Sequence, residues 1–145
     1  MLKGISKLMT GDLLKALCDM GHGNQLIIAD ANFPAEALAK RVVRIPGVNA
    51  EAVLEAILPL FPLDEYSECP AYVMKLTDSD KEKDAPVPAM WQVFEDKLKG
   101  QDGMGKLGKI DRFELYECAK NAYVVIQTGE MRPYGNLVLT KGVVK

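Results

Sequence analysis

Three short runs of aliphatic and β-branched residues constrain this chain most: QLIIA at 25–29, YVVIQ at 123–127 and YGNLVLT at 134–140. Each is too short for a stable helix and is bounded by turn residues, so each reads as a strand. Arg41–Ile45 (RVVRI) and Ala71–Thr77 (AYVMKLT) read the same way. Segments of helical spacing separate them. Thr10 is placed to cap a helix running to about Met20, with Leu13, Leu14 and Leu17 on one face and Gly21 stopping it in the left-handed conformation. Pro34 can open a helix, and Asn49 can cap NAEAVLEAILPLF, which Pro59 and Pro62 end. Met90–Lys99 carries Trp91, Phe94 and Leu98 on one side, and Asp111 with Glu114 forms a capping-box pair for a helix to about Asn121. Residues 77–88 (TDSDKEKDAPVP) read as a polar surface loop, and 101–108 (QDGMGKLG) hold too many glycines for regular structure. The alternation predicts α/β layers: a mixed, mostly parallel sheet flanked by helices, with the last two strands as an antiparallel pair.

The 145 residues amount to one domain, 1–145, of ordinary size. A net charge of −2 argues against a nucleic-acid or anionic-membrane partner. No apolar stretch approaches the roughly 18 residues of a membrane span, and the first 15 residues lack the apolar core of a signal peptide. Three widely spaced cysteines, Cys18, Cys69 and Cys118, fit reduced thiols in the cytoplasm better than a disulfide framework, and no Cys/His cluster points to a metal. The glycines of GMGKLG follow no predicted strand, which removes a dinucleotide site.

The only histidine, His22, lies between Gly21 and Gly23. Bare backbone on both sides lets the chain turn sharply and a ligand approach closely, and imidazole exchanges protons near neutral pH. A histidine in a helix-to-strand turn is equally an ordinary surface residue. Asp30 ends the first strand, where ligands collect in parallel sheets; it can bind hydroxyls, accept a proton or cap the next turn. It stands at the opposite end of that strand from His22, so reach is a question for any pairing of the two. Arg112, near a helix start, is unfavourable for the helix dipole unless another interaction holds it. Tyr134, Gly135 and Asn136 offer a flat ring, a close backbone approach and an amide, a set suited to a neutral polyol and also to a hairpin turn. Tyr116 reads as core with a bonded hydroxyl, and the cysteines and the Trp91/Phe94 face read as core.

Taken together, MGHGNQLIIADANFP, AILPLFPLDEY and IDRFELYECAKNAYVVIQTGEMRPYGNLVLTKGV resemble the ribose pyranase / fucose mutarotase (RbsD/FucU) family over nearly the whole chain, least at 78–108. The resemblance implies that family's layered α/β fold and a mutarotase: an isomerase that interconverts anomers of an unphosphorylated monosaccharide, with neither metal nor organic cofactor. It implies His22 as proton donor, with Asp30, Arg112, Tyr134, Gly135 and Asn136 on the sugar and Tyr116 as a possible addition. The arginine of IDRF, where the ribose branch carries a second histidine, implies L-fucose. It further implies a homo-oligomer with sites completed by neighbouring subunits. The same residues would also serve a sugar-binding accessory protein of an uptake system.

Overall fold

The computed structural model describes residues 1–145. Six strands, β1 (Gln25–Ala29), β2 (Val42–Ile45), β3 (Ala71–Met74), β4 (Leu107–Ile110), β5 (Val124–Thr128) and β6 (Leu137–Thr140), form one sheet in the order β2-β5-β1-β6-β3-β4. β1 pairs in parallel with β5, β5 with β2, and β3 with β4, whereas β6 runs antiparallel to both β1 and β3. The expected mixed, mostly parallel sheet is present. The expected hairpin of the last two strands is not: β1 lies between β5 and β6.

Helices cover both faces because the central strands are apolar on both sides. Leu26 and Ile28 of β1 pack with Val124, Ile126, Leu137 and Leu139 beneath α1 (Gly11–Asp19), α3 (Ala50–Ile57) and α5 (Ala89–Leu98). Ile27 and Ala29 face the other way, with Val125 and Val138, onto α2 (Ala35–Leu38) and α6 (Arg112–Asn121). Period-two alternation along one strand thus feeds two cores.

The helix ends follow local chemistry. Thr10 and Asn49 accept hydrogen bonds from the Leu13 and Ala52 amides at 3.2 and 2.9 Å, and Asp111 with Glu114 closes the capping box at 2.9 and 2.8 Å. A turn of 3₁₀ helix, Leu58–Leu60, follows α3 where the prolines interrupt it. Four details depart from expectation. The left-handed residue after α1 is Gly23 (φ 80°), not Gly21, because α1 ends in extended backbone at Met20. Residues 78–82 form a short helix, α4 (Asp78–Glu82), capped by Thr77 and burying nothing. β4 begins inside the glycine-rich stretch, where β3 supplies its hydrogen bonds. β3 stops at Met74 and β6 starts only at Leu137, leaving Tyr134 at φ 61° in the preceding turn. Cys18 is exposed, whereas Cys69 and Cys118 are partly buried; none is bonded. No helix is long and apolar enough to cross a membrane.

Candidate active site

Five of the six strands run in one direction, so their carboxyl ends share one edge of the sheet with the start of β6. The candidate residues Asp30 (after β1), Arg112 (after β4), and Tyr134, Gly135 and Asn136 (before β6) all lie at that edge. Asp30 and Asn136 are joined reciprocally. The Asp30 amide donates to Asn136 Oδ1 at 3.0 Å, and Asn136 Nδ2 donates to Asp30 Oδ2 at 2.8 Å. The second carboxylate oxygen accepts from the Asn32 amide at 2.9 Å. Burial pushes the Asp30 carboxyl above its ordinary 3.8, against the lowering effect of the bonds from Asn32 and Asn136, and the nearby Glu130 charge adds to the rise.

The loop between β5 and β6 holds this corner. Glu130 is buried; Oε1 accepts from Arg132 Nε at 2.8 Å and from the Arg132 amide at 3.0 Å, and Oε2 accepts from the Arg132 guanidinium at 2.9 Å and the Ala50 amide at 3.3 Å. Arg132 holds the Glu130 carboxyl below its ordinary 4.5, outweighing the opposing effect of burial. Thr128 Oγ1 donates to the Ala29 carbonyl at 2.8 Å, and Gln127 Nε2 donates to the Phe33 carbonyl at 2.9 Å, which ties β5 to the Asp30 turn. Gly135 is buried against this frame: a Cβ there would lie 2.7 Å from Glu130 Cγ and 3.3 Å from Asp30 Cβ.

The Tyr134 hydroxyl donates to Asp80 and accepts from the Thr77 amide at 3.1 Å, and its ring meets Trp91 edge-on at 6.4 Å. That hydroxyl is therefore committed to the α4 segment. Arg112 is exposed, stacked 5.1 Å from the Phe113 ring, and lines a cleft of about 440 Å³ with Lys75, Thr77, Ser79 and Lys81. Three strand spacings, roughly 14 Å, separate β4 from β1, within the combined reach of an arginine and a small ligand. Tyr116 is partly buried, edge-on to Phe33 at 6.0 Å, but its hydroxyl bonds nothing within the chain.

His22 is elsewhere. The Gly21–Gly23 turn precedes β1, so five strand residues, roughly 16 Å, separate it from Asp30. Its Nε2 faces Asp64 Oδ1 at 3.1 Å, and its ring lies 5.6 Å from that of Tyr66. No group of three or more His, Cys, Asp or Glu side chains is placed to hold a metal ion.

The profile of the RbsD / FucU transport protein family matches residues 3–144. The chain belongs to this family. It is 46% identical to a fucose mutarotase of Mus musculus, over 97% of this chain and 94% of that one. The crystal structure of FucU from Bifidobacterium longum superimposes with a TM-score of 0.90 at 46% identity, covering 99% of this chain and 100% of that one. The fucose mutarotase from Streptococcus pneumoniae, solved in complex with L-fucose, gives 0.89 at 36% identity over 99% and 100%.

Within the RbsD / FucU fold, Gln127, Thr128, Glu130, Asp64 and Asp80 make contacts around the candidate residues that none of the sequence motifs assigns. For Glu130 a signal existed. An acid in an otherwise turn-forming TGEMRP needs a partner once buried, and Arg132 stands two residues on. Asp64 and Asp80 had no such signal, because their partners lie 42 and 54 residues away.

Proposed function

We propose that this protein is an L-fucose mutarotase, a carbohydrate isomerase that interconverts the α and β anomers by acid–base opening of the pyranose ring. The observation that carries this reading is full-length identity of 46% to a fucose mutarotase, together with a TM-score of 0.89 to one bound to L-fucose. The strand-end edge supplies compatible chemistry: a carboxylate, an amide, an aromatic ring and a guanidinium, suited to an uncharged polyol.

In the proposed mechanism His22 delivers a proton to the ring oxygen while a base removes the proton of the anomeric hydroxyl. The C1–O5 bond breaks, the open aldehyde rotates about C1–C2, and the steps reverse on the other face. Asp30 is the base. Its raised pKa strengthens it as an acceptor, and the Tyr134 hydroxyl is already engaged by Asp80 and Thr77. Asn136 fixes the carboxylate, Gly135 lets backbone approach, the Tyr134 ring faces the sugar, and Arg112 orients hydroxyls from β4; Tyr116 lies beneath the Asp30 turn, against Phe33. General acid–base assistance contributes about 10²- to 10⁴-fold, enough for a reaction that already proceeds slowly in water.

His22 and Asp30 of one chain occupy opposite ends of β1, which favours a homo-oligomer in which one copy brings its His22 to the strand-end edge of a neighbour. Three unbonded cysteines support a place in the reducing cytoplasm.

Saturation-transfer NMR on fucose, ribose, galactose and rhamnose tests the reading. Accelerated anomer exchange, greatest for L-fucose and abolished in His22→Gln, is the expected result. Binding without acceleration would replace the enzyme by a sugar-binding accessory protein, and wild-type exchange in His22→Gln would remove the histidine from the mechanism.

A further inference from the structure

The imidazole of His22 does not stand alone on its turn. Its Nε2 lies 3.1 Å from Asp64 Oδ1, and the side chain of Asp64 is only 12% exposed. The same oxygen accepts from the Tyr66 amide at 3.2 Å, and the Tyr66 ring flanks the imidazole.

Both partners are fastened to the end of β6. On the histidine side, the Gly23 amide donates to the Lys141 carbonyl at 2.8 Å. Lys141 Nζ donates to the Leu17 and Met20 carbonyls at 2.7 and 2.6 Å, holding the end of α1 from which the turn leaves. On the acid side, the Asp64 amide donates to the Thr140 carbonyl at 3.1 Å, Leu63 bridges Lys141, and the Gly142 amide donates to the Pro62 carbonyl at 2.8 Å. A Cβ on Gly142 would collide with the Leu63 carbonyl, so close packing fixes the Asp64 backbone against the strand.

We propose that Asp64 is a positioning residue for His22, holding Nε2–H so that Nδ1 is the nitrogen presented to substrate. An ionised carboxylate only accepts hydrogen bonds, so the pairing selects the Nε2–H tautomer of the neutral ring and leaves the Nδ1 lone pair outward. When the ring is protonated, the proton on Nδ1 is the one given up, and Nε2–H stays on Asp64 throughout. This rests on the mutarotase reading of His22 for its consequence in rate, but not for the tautomer itself.

Two measurements test it. In the wild-type protein, long-range ¹⁵N–¹H correlation at a pH where His22 is neutral should show Nε2–H; a dominant Nδ1–H tautomer overturns the proposal without any variant. Asp64→Ala should lose that preference and lower kcat for L-fucose anomer exchange about 10- to 100-fold, with KM within about threefold. An unchanged rate, or a loss carried by KM alone, overturns it. Absence of anomer exchange in the wild type with any sugar would instead remove the mutarotase reading, while the tautomer would still report on the pairing.

Discussion

Asn136 grips Asp30 by backbone and side chain at once, accepting from its amide at 3.0 Å and donating to its carboxylate at 2.8 Å across 106 residues of sequence. The pair fixes β6 beside β1 at the edge where the candidate groups collect. Asn136 is 4% exposed, so water cannot readily replace either bond.

Asn136→Ala should therefore cost about 1–3 kcal/mol, the range for stranding a buried polar group. The lost bond from Nδ2 is one that lowers the Asp30 pKa, so the carboxyl should rise further from its ordinary value. Urea denaturation checks the first expectation and a ¹³C carboxyl titration the second. An unchanged titration would mean that the amide positions the carboxylate without stabilising its charge.

Glu130 and Asp30 should tilt stability in opposite directions with pH. The folded pKa of Glu130 is depressed, so the unfolded chain binds more protons; its contribution is present above its ordinary 4.5 and is lost as pH falls through the folded value. The folded pKa of Asp30 is raised, so its contribution is fully present below its ordinary 3.8 and is lost as pH rises through the folded value. Glu130→Gln should flatten the acid-side loss, and Asp30→Asn should steepen it. Glu130→Gln should also cost about 2–3 kcal/mol near neutral pH, kept modest because the Arg132 side chain is 42% exposed. Urea midpoints measured from about pH 3 to about pH 7 give the slopes.

Tyr134→Phe separates ring from hydroxyl. The hydroxyl is bonded to Asp80 and the Thr77 amide, so its removal should loosen α4 and speed amide exchange at Asp80 and Lys81, whose amides bond Thr77. Anomer exchange should stay within about threefold of wild type, since the ring remains. A loss of about 10²-fold, the scale of a general base, would make this hydroxyl the base in place of Asp30.

Much of the fold was legible because its determinants are local. Thr10, Asn49 and the Asp111/Glu114 box cap the helices they were expected to cap, and QLIIA is a strand buried on both faces. What was not legible depends on tertiary partners. LGKI has a glycine and four residues, and becomes β4 only because β3 supplies its ladder. α4 has no apolar face to give a period, although TDSD held the Thr77 cap and an acidic first turn. The chain leaves β5, crosses the end of β1 and lays β6 on its far side, because the loop from Gly129 to Asn136 is long enough and is pinned by Glu130. In the candidate site, only Asp30 could be placed at a strand end from the sequence; Arg112 reaches that edge through β4, and the Tyr134–Asn136 turn reaches it because β6 runs antiparallel to β1. The pairing of His22 with Asp64 could not, because no local pattern links residues 42 apart.

Two glycines near the candidate groups should respond to alanine for different reasons. Gly135 has an ordinary φ but no space: a Cβ would sit 2.7 Å from Glu130 Cγ, 3.1 Å from the Arg132 carbonyl oxygen and 3.3 Å from Asp30 Cβ. Gly135→Ala should cost about 1–3 kcal/mol by overpacking and, because the displaced groups carry Asp30, should slow anomer exchange more than tenfold. Gly23 has open space but a φ of 80°, so Gly23→Ala should cost about 1–2 kcal/mol through the backbone alone and turn the chain beside His22. Denaturation would give similar losses for the two. Titrating a mixture of Gly23→Ala and Gly135→Ala subunits separates their sites: if one copy supplies the histidine end and its neighbour the Asp30 end, mixed assemblies contain sites with both defects and sites with neither. Re-mixed assemblies should then recover up to about a quarter of wild-type exchange, the share of random pairings in which both contributed ends are intact. No recovery on mixing would place both ends of each working site in the same chain.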